Sequence, residues 1–281
     1  VSRIEQRFKA LKSENRAALI PYVMTGDPSP EATVLVMQGL VRGGADMIEL
    51  GMPFSDPVAD GPVIQAAGER ALAAGQRLRH SLAAVKRFRE SDGDTPVILM
   101  GYLNPVEIMG EAAFVEAAAD AGVDAVLLVD APPEESTDLA PALKKAGMDM
   151  IFLVAPTTSE ARRRRLADLA GGFIYYVSLK GVTGAGGLDT EAVRKGLMAL
   201  REVSDLPLGV GFGIGDAQTA GSVARFADAV IVGSRLVAHL QAAAERGEDL
   251  ARAAEAFIQP LSQAISQARG SGNDQKEAAL S

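Results

Sequence analysis

The sequence predicts an α/β fold, a (β/α)8 TIM barrel with an extra N-terminal helix and a short helix after the eighth strand. Three observations predict it. Short aliphatic runs alternate with helix-like segments about eight times. The runs are apolar on both faces, as strands of a parallel sheet covered by helices must be. The chain of 281 residues has the length that eight such units need to close on themselves. An open doubly wound sheet competes, but its dinucleotide-binding form demands G-x-G-x-x-G after the first strand, and the segment there, TGDPSPE, holds a single glycine.

The elements follow in order. VSRIEQRFKALKSENR interleaves charges with Ile4, Phe8 and Leu11 at helical spacing, which predicts an amphipathic helix packed on the barrel rather than the uninterrupted apolar centre of a signal peptide. The strand candidates are AALIPYVM, DMIELGM, PVILMGY, DAVLLVD, DMIFLVA, GFIYYVS, LPLGVGF and DAVIVGS. Between them lie helical patterns such as EATVLVMQGLVRGG, EAAFVEAAADAG, TDLAPALKKAG and SEARRRRLADLAGG, each closed by glycine just past its last apolar position. No linker or composition shift interrupts the pattern, so one barrel domain is expected over residues 1–268 and a disordered polar tail over 269–281.

Composition narrows the function classes. A net charge of -8 opposes a polyphosphate backbone, which excludes an ordinary nucleic-acid binder. The chain has no cysteine, hence no disulfide, thiolate nucleophile or thiolate metal site. No apolar run approaches the roughly 18 residues of a membrane span, and a cytoplasmic protein is expected. The only histidines, His80 and His239, fall in helical segments, where a packing or surface role is the usual one. Neither a histidine base nor a multi-histidine metal site is expected. If the chain is an enzyme, proton transfer falls to carboxylates.

In DMIELGM the side chains alternate, so Met47, Glu49 and Gly51 share one face while Ile48, Leu50 and Met52 share the other. The Ile/Leu/Met face suits the surrounding helices, which turns Glu49 into the barrel near the C-terminal end of its strand. Desolvation there raises a carboxyl pKa, the condition for a poised acid or base. An ion-paired or solvated glutamate is the competing reading. The loop PFSDPVADGP adds Asp56 and Asp60, whose Asp-Pro and Asp-Gly contexts are ordinary turn chemistry. Location lifts Asp60 above that reading, because loops after barrel strands build the active site. Asp130 ends DAVLLVD in the same manner, with a capping or interface role as alternatives.

Glycines cluster at three late strand ends, in SLKGVTGAGG, GVGFGIGD and VGSRLVAHL. Close backbone approach and a helix N-terminus at Gly233 and Ser234 fit the barrel's usual phosphate site. SLKGVTGAGG is long enough to act as a lid, and tight turns are the plainer alternative. Tyr22, Met100, Leu127, Leu153, Tyr175 and Phe212 lie on or beside predicted strands and offer lining for a flat aromatic substrate, although any one of them reads equally as core. The Arg162–Arg165 run points in all directions on a helix and reads as a solvated face.

The combination of IELGMPFSDPVADGPVIQ, VMTGDP, MGYLNPV, LLVDAPPEES, GVTG, GFGI and VGS, in this order along nearly the whole chain, resembles the tryptophan synthase alpha chain family. The resemblance implies a barrel lyase that cleaves indole-3-glycerol phosphate to indole and glyceraldehyde 3-phosphate, with no cofactor in this chain. It implies Glu49 as general acid/base and Asp60 as the carboxylate that holds the indole N–H. It further implies Thr183 in the lid as support for Asp60 and backbone groups of Gly184, Gly213, Gly233 and Ser234 as phosphate ligands. The six apolar residues named above would enclose the indole. A pyridoxal-phosphate-dependent beta chain is the implied partner, in an alpha-beta-beta-alpha assembly, with Asp56, Asn104 and Pro105 facing it. Tyr22 and Met100 depart from the Phe and Leu often found in the family, and Lys180 stands near the start of the lid. A free-standing indole-producing lyase, another sugar-phosphate barrel enzyme and a non-catalytic activator of a beta chain are the alternatives. A Schiff-base aldolase would need an inward lysine, which none of the predicted strands offers.

Overall fold

Eight parallel strands close on themselves in the order β1-β2-β3-β4-β5-β6-β7-β8, with β1 paired to β8. The structure, a computed structural model, describes residues 2–177, 189–211 and 213–269. The first half comprises α1 (Arg3–Ser13), β1 (Ala18–Met24), α2 (Ala32–Arg42), β2 (Ile48–Gly51), α3 (Pro62–Ala73), α4 (Leu78–Arg89), β3 (Val97–Gly101), α5 (Leu103–Met109), α6 (Glu111–Ala121) and β4 (Ala125–Leu128). The second half comprises α7 (Leu139–Lys145), β5 (Asp149–Val154), α8 (Glu160–Leu169), β6 (Ile174–Val177), α9 (Thr190–Arg201), β7 (Leu208–Gly211), α10 (Ala217–Ala224), β8 (Ala229–Val232), α11 (Ser234–Glu245) and α12 (Leu250–Gln267). Every expected strand is present. The helix expected from RLVAHL after β8 runs for 12 residues, and α12 follows it.

The strands divide their side chains by alternation. Ile48, Leu50 and Met52 join the outer layer under the helices, with Leu40, Leu82, Phe88 and Val126. Inward positions, among them Ile20, Met47, Ile98, Leu127, Ile151 and Ile231, fill the barrel interior. Both sets are sequestered from water, which is why the strands read as continuous apolar runs rather than as alternating ones. Helix α1 closes the N-terminal end of the barrel: Ile4, Phe8 and Leu11 belong to the same interior cluster, and the Phe8 ring meets Phe173 edge-on at 5.9 Å.

The same end carries a recurring device. Asp46, Asp124 and Asp228, just ahead of β2, β4 and β8, each accept a backbone N–H from the preceding strand, from Leu19 at 2.8 Å, Val97 at 2.8 Å and Leu208 at 2.9 Å. Each also pairs with an arginine: Arg16 at 2.7 Å, Arg89 at 2.6 Å and Arg201 at 2.9 Å. The aspartate that opens DMIEL, DAVLL and DAVIV therefore joins neighbouring strands away from the mouth.

Helix α12 packs across α2 at very close range. A Cβ on Gly39 would run into the Ala251 backbone, whose carbonyl carbon would lie 2.9 Å away. Backbone cannot swing aside as a flexible side chain can, so Gly39→Ala is expected to cost about 1–3 kcal/mol. The check is a lower urea midpoint at unchanged slope; an unaltered midpoint would show that α12 gives way freely.

Candidate active site

Glu49 sits on the inner face of β2, level with Tyr22 of β1 and Ile98 of β3 in the strand register. The side-chain direction expected from period-two alternation is the one found. The residue is 1% exposed, and its Oε1 has no hydrogen-bond partner among the described residues. Burial pushes the Glu49 carboxyl up to about 8, with the nearby Asp60 charge adding to the effect. The competing idea of a structural ion pair finds no arginine or lysine bridged to Glu49 among the described residues. A neutral carboxylic acid at pH 7, ready to give up its proton, is the physical consequence.

Asp60 is half-buried in the loop that leads from β2 into α3. Its backbone N–H closes a turn onto the Pro57 carbonyl at 3.1 Å, and the Gln65 amide pins the loop by donating to the Asp60 carbonyl at 2.9 Å. It does not cap α3: the N-cap is Gly61, and no side chain caps that end. Instead the Tyr102 hydroxyl accepts the neighbouring Ala59 N–H at 3.1 Å and bears on the Asp60 carboxylate. Burial raises Asp60 to about 6 while the Tyr102 hydroxyl holds it down, which leaves it largely ionised at pH 7. Two neighbouring carboxyl groups thus settle in opposite charge states, the arrangement that assigns one as acid and the other as a stabiliser of positive charge.

The aromatic wall completes this end of the barrel. Tyr22 and Tyr175 are buried at 6% and 4% exposure, and burial followed by the adjacent carboxylates holds both phenols protonated well above their ordinary range. Glycine makes room for them. A Cβ on Gly51, two residues beyond Glu49 on the same face, would collide with the Tyr22 hydroxyl oxygen. Leu127 is fully buried in the interior cluster, and Met100 and Leu153 pack on it half-buried. Tyr22, Met100, Leu127, Leu153 and Tyr175 therefore share the barrel interior, whereas Phe212 lies outside the described residues.

Gly233 is the N-cap of α11 at the end of β8, and a Cβ on it would lie 3.5 Å from the Cβ of Tyr22. The exposed N-terminal turn of α11, beginning at Ser234, therefore opens beside the pocket with no side chain capping it. Its free backbone N–H groups and the helix dipole favour an anion. Gly213 is exposed in the loop after β7. Thr183, Gly184 and Lys180 lie outside the described residues, as do residues 270–281 of the expected tail.

At the rim, Asp56 is exposed and accepts a hydrogen bond from the Ser55 hydroxyl at 2.6 Å. Asn104 and Pro105 occupy the first turn of α5, whose Ile108 is 79% exposed, and Val58 in the β2–α3 loop is 86% exposed. Asp130 resolves to a tether: its carboxylate accepts the Leu103 N–H at 2.8 Å and so secures the start of α5 from the end of β4. His80 accepts the Arg77 N–H at 2.9 Å in a capping box, and His239 stacks on Phe257 at 5.1 Å, so both histidines serve their helices. Arg162 and Arg165 reach Glu134, and Arg164 pairs with Glu160, on the surface.

One residue at the site escaped the sequence reading. Tyr102 stands inside MGYLNPV as the residue that follows β3, and its strand-end position was the available signal. What it bonds to lies more than forty positions back, beyond the reach of local pattern.

Fold and carboxyl pair define a class, a (β/α)8 barrel whose mouth is equipped for acid–base chemistry by carboxyl groups. The sequence profile of the tryptophan synthase alpha chain family matches residues 8–266. A tryptophan synthase alpha chain from Thioalkalivibrio sulfidiphilus is 62% identical over 237 residues, 84% of this chain and 89% of that relative. One from Laribacter hongkongensis is 57% identical over 258 residues, 92% of this chain and 98% of that relative. Among solved structures, a tryptophan synthase subunit alpha from Legionella pneumophila superposes with a TM-score of 0.90 at 43% identity, covering 95% of this chain and 99% of that one. The chain belongs to the tryptophan synthase alpha chain family, and so to the lyases of tryptophan biosynthesis.

Proposed function

We propose that this chain cleaves indole-3-glycerol phosphate to indole and glyceraldehyde 3-phosphate. The observation that carries the reading is the buried, protonated Glu49 beside the ionised Asp60 at the barrel mouth. The indole ring lies between Tyr22, Met100, Leu127, Leu153, Tyr175 and Phe212. The phosphate is held by backbone groups of Gly184, Gly213, Gly233 and Ser234, and Thr183 supports Asp60.

Glu49 gives its proton to the ring carbon that bears the glycerol chain, and the ring becomes an iminium. Asp60, hydrogen-bonded to the ring N–H, stabilises that positive charge electrostatically. The Glu49 carboxylate then takes the proton of the adjacent side-chain hydroxyl. As the carbon–carbon bond breaks, its electron pair restores the aromatic ring and the hydroxyl-bearing carbon becomes the aldehyde. Glu49 ends protonated, ready for the next turnover, and no cofactor takes part in this chain.

Asp56, Asn104, Pro105 and the exposed Val58 and Ile108 form the face for a beta chain that carries pyridoxal phosphate, in an alpha-beta-beta-alpha assembly. The barrel, with residues 1–268 as one domain, works in the cytoplasm.

The deciding experiment is indole release from indole-3-glycerol phosphate across pH, with and without a beta chain. Activity should rise through about pH 6 as Asp60 ionises and fall through about pH 8 as Glu49 loses its proton. Adding the beta chain should accelerate it. No release under either condition would leave a non-catalytic activator, and full activity without complex formation would indicate a free-standing indole producer.

A further inference from the structure

We propose that Tyr102 is a positioning residue for this reaction: from the end of β3 its hydroxyl holds the backbone of Ala59 and so sets the place of the adjoining Asp60. The proposal rests on the carboxyl pair acting as described above. Two contacts and one electrostatic effect carry it. The Tyr102 hydroxyl oxygen accepts the Ala59 N–H at 3.1 Å. The same hydroxyl bears on the Asp60 carboxylate and holds its pKa down against burial. The ring packs on Phe54, with centroids 5.2 Å apart, and is 3% exposed.

The β2–α3 loop has exposed Asp56 and Val58 at its crest and is otherwise held by its own turn and by the Gln65 amide on the Pro57 and Asp60 carbonyls. Tyr102 ties it at both ends of the segment 54–60 to a strand end that cannot move independently. The Leu103 N–H, one residue on, is itself anchored by Asp130 at 2.8 Å. The charged and titratable groups that bear on this cluster are Glu49 from β2, Tyr22 from β1 and Asp130 after β4. None of these favours the ionised form of Asp60, which the Tyr102 hydroxyl does.

The test is Tyr102→Phe, which keeps the ring against Phe54 and removes only the hydroxyl. In the full chain with a beta chain present, the acid limb of the kcat/KM profile should move up by about one pH unit while the alkaline limb, set by Glu49, stays. At pH 7 kcat should fall about tenfold from lost placement, with KM changed by no more than about twofold. The thermal midpoint should stay within a few degrees. A carbon-13 titration of the Asp60 carboxyl should show the same upward shift without reference to turnover. A control, Phe54→Leu, should leave the acid limb in place. An unmoved Asp60 titration in Tyr102→Phe, or an activity loss that merely tracks a fall in thermal midpoint with both limbs unmoved, would overturn the proposal. Failure of the unaltered chain to release indole would instead count against the reaction, since the carboxyl titration still reads the hold of Tyr102 on Asp60.

Discussion

Glu49→Gln should abolish indole release, lowering kcat by about a thousandfold or more, while substrate and beta chain still bind. The amide is nearly isosteric with the neutral acid, so the pocket keeps its shape, but an amide has no proton to give to carbon. General acid–base catalysis contributes about 10²–10⁴ in rate, which sets the scale. The same substitution carries a stability signature. The native carboxyl keeps its proton to about pH 8, whereas in the unfolded chain it releases it near its ordinary value of 4.5. Between those values the folded state binds the extra proton, so the wild-type chain loses stability as pH rises through that window. Gln does not titrate. The variant should therefore gain on the wild type between pH 5 and pH 8, by on the order of 2–4 kcal/mol. Parallel urea denaturation at the two pH values is the check. Undiminished indole release would remove Glu49 from the mechanism, and an identical pH dependence for both proteins would show that its carboxyl is not desolvated.

Asp124→Ala should be among the most destabilising single changes away from the mouth, at about 3–5 kcal/mol. Asp124 is nearly buried and accepts from Arg89 at 2.6 Å, Arg3 at 2.9 Å and the Val97 N–H at 2.8 Å. Removing it leaves the Arg89 side chain, 11% exposed, without its counter-charge. Burial already works against the Arg89 cation, whose pKa is lowered despite Asp124. Three carbonyls remain to it, those of Thr95 at 2.7 Å, Gly122 at 3.0 Å and Asp92 at 3.2 Å, and they satisfy donors without neutralising charge. Asp124→Asn should cost less, because its amide oxygen still accepts the Val97 N–H. The folded fraction of either variant should keep its turnover, since the change lies at the opposite end of the barrel. A loss below about 1 kcal/mol in equilibrium unfolding would mean that the pair behaves as an ordinary surface bridge.

The fold was legible because its causes are local. Eight doubly apolar runs separated by glycine-terminated helices leave few topologies, and β2 showed the direction of Glu49 through strict alternation on a single strand. The recurring aspartate ahead of β2, β4 and β8 was equally visible, yet its purpose was not, because each one bonds to the preceding strand and to an arginine from elsewhere. Asp60 is the sharper case. By local chemistry it is a turn residue or a helix cap, and its place in a loop after a barrel strand, together with the family motifs, raises it above that. In the structure Gly61, not Asp60, is the N-cap of α3, and the Tyr102 hydroxyl holds the loop at Ala59 beside it.

By itself the sequence determined which elements form, that the sheet closes, which face of β2 carries Glu49, and the family. The charge states at the mouth, the bond of Tyr102 to Ala59, the tether from Asp130 to Leu103 and the arginine partners of the buried aspartates were decided by tertiary structure alone. Periodicity is a property of one segment and survives reading along the chain. A pKa or a buried hydrogen bond depends on which groups from other strands share a water-free space, and only closure of the barrel brings them there.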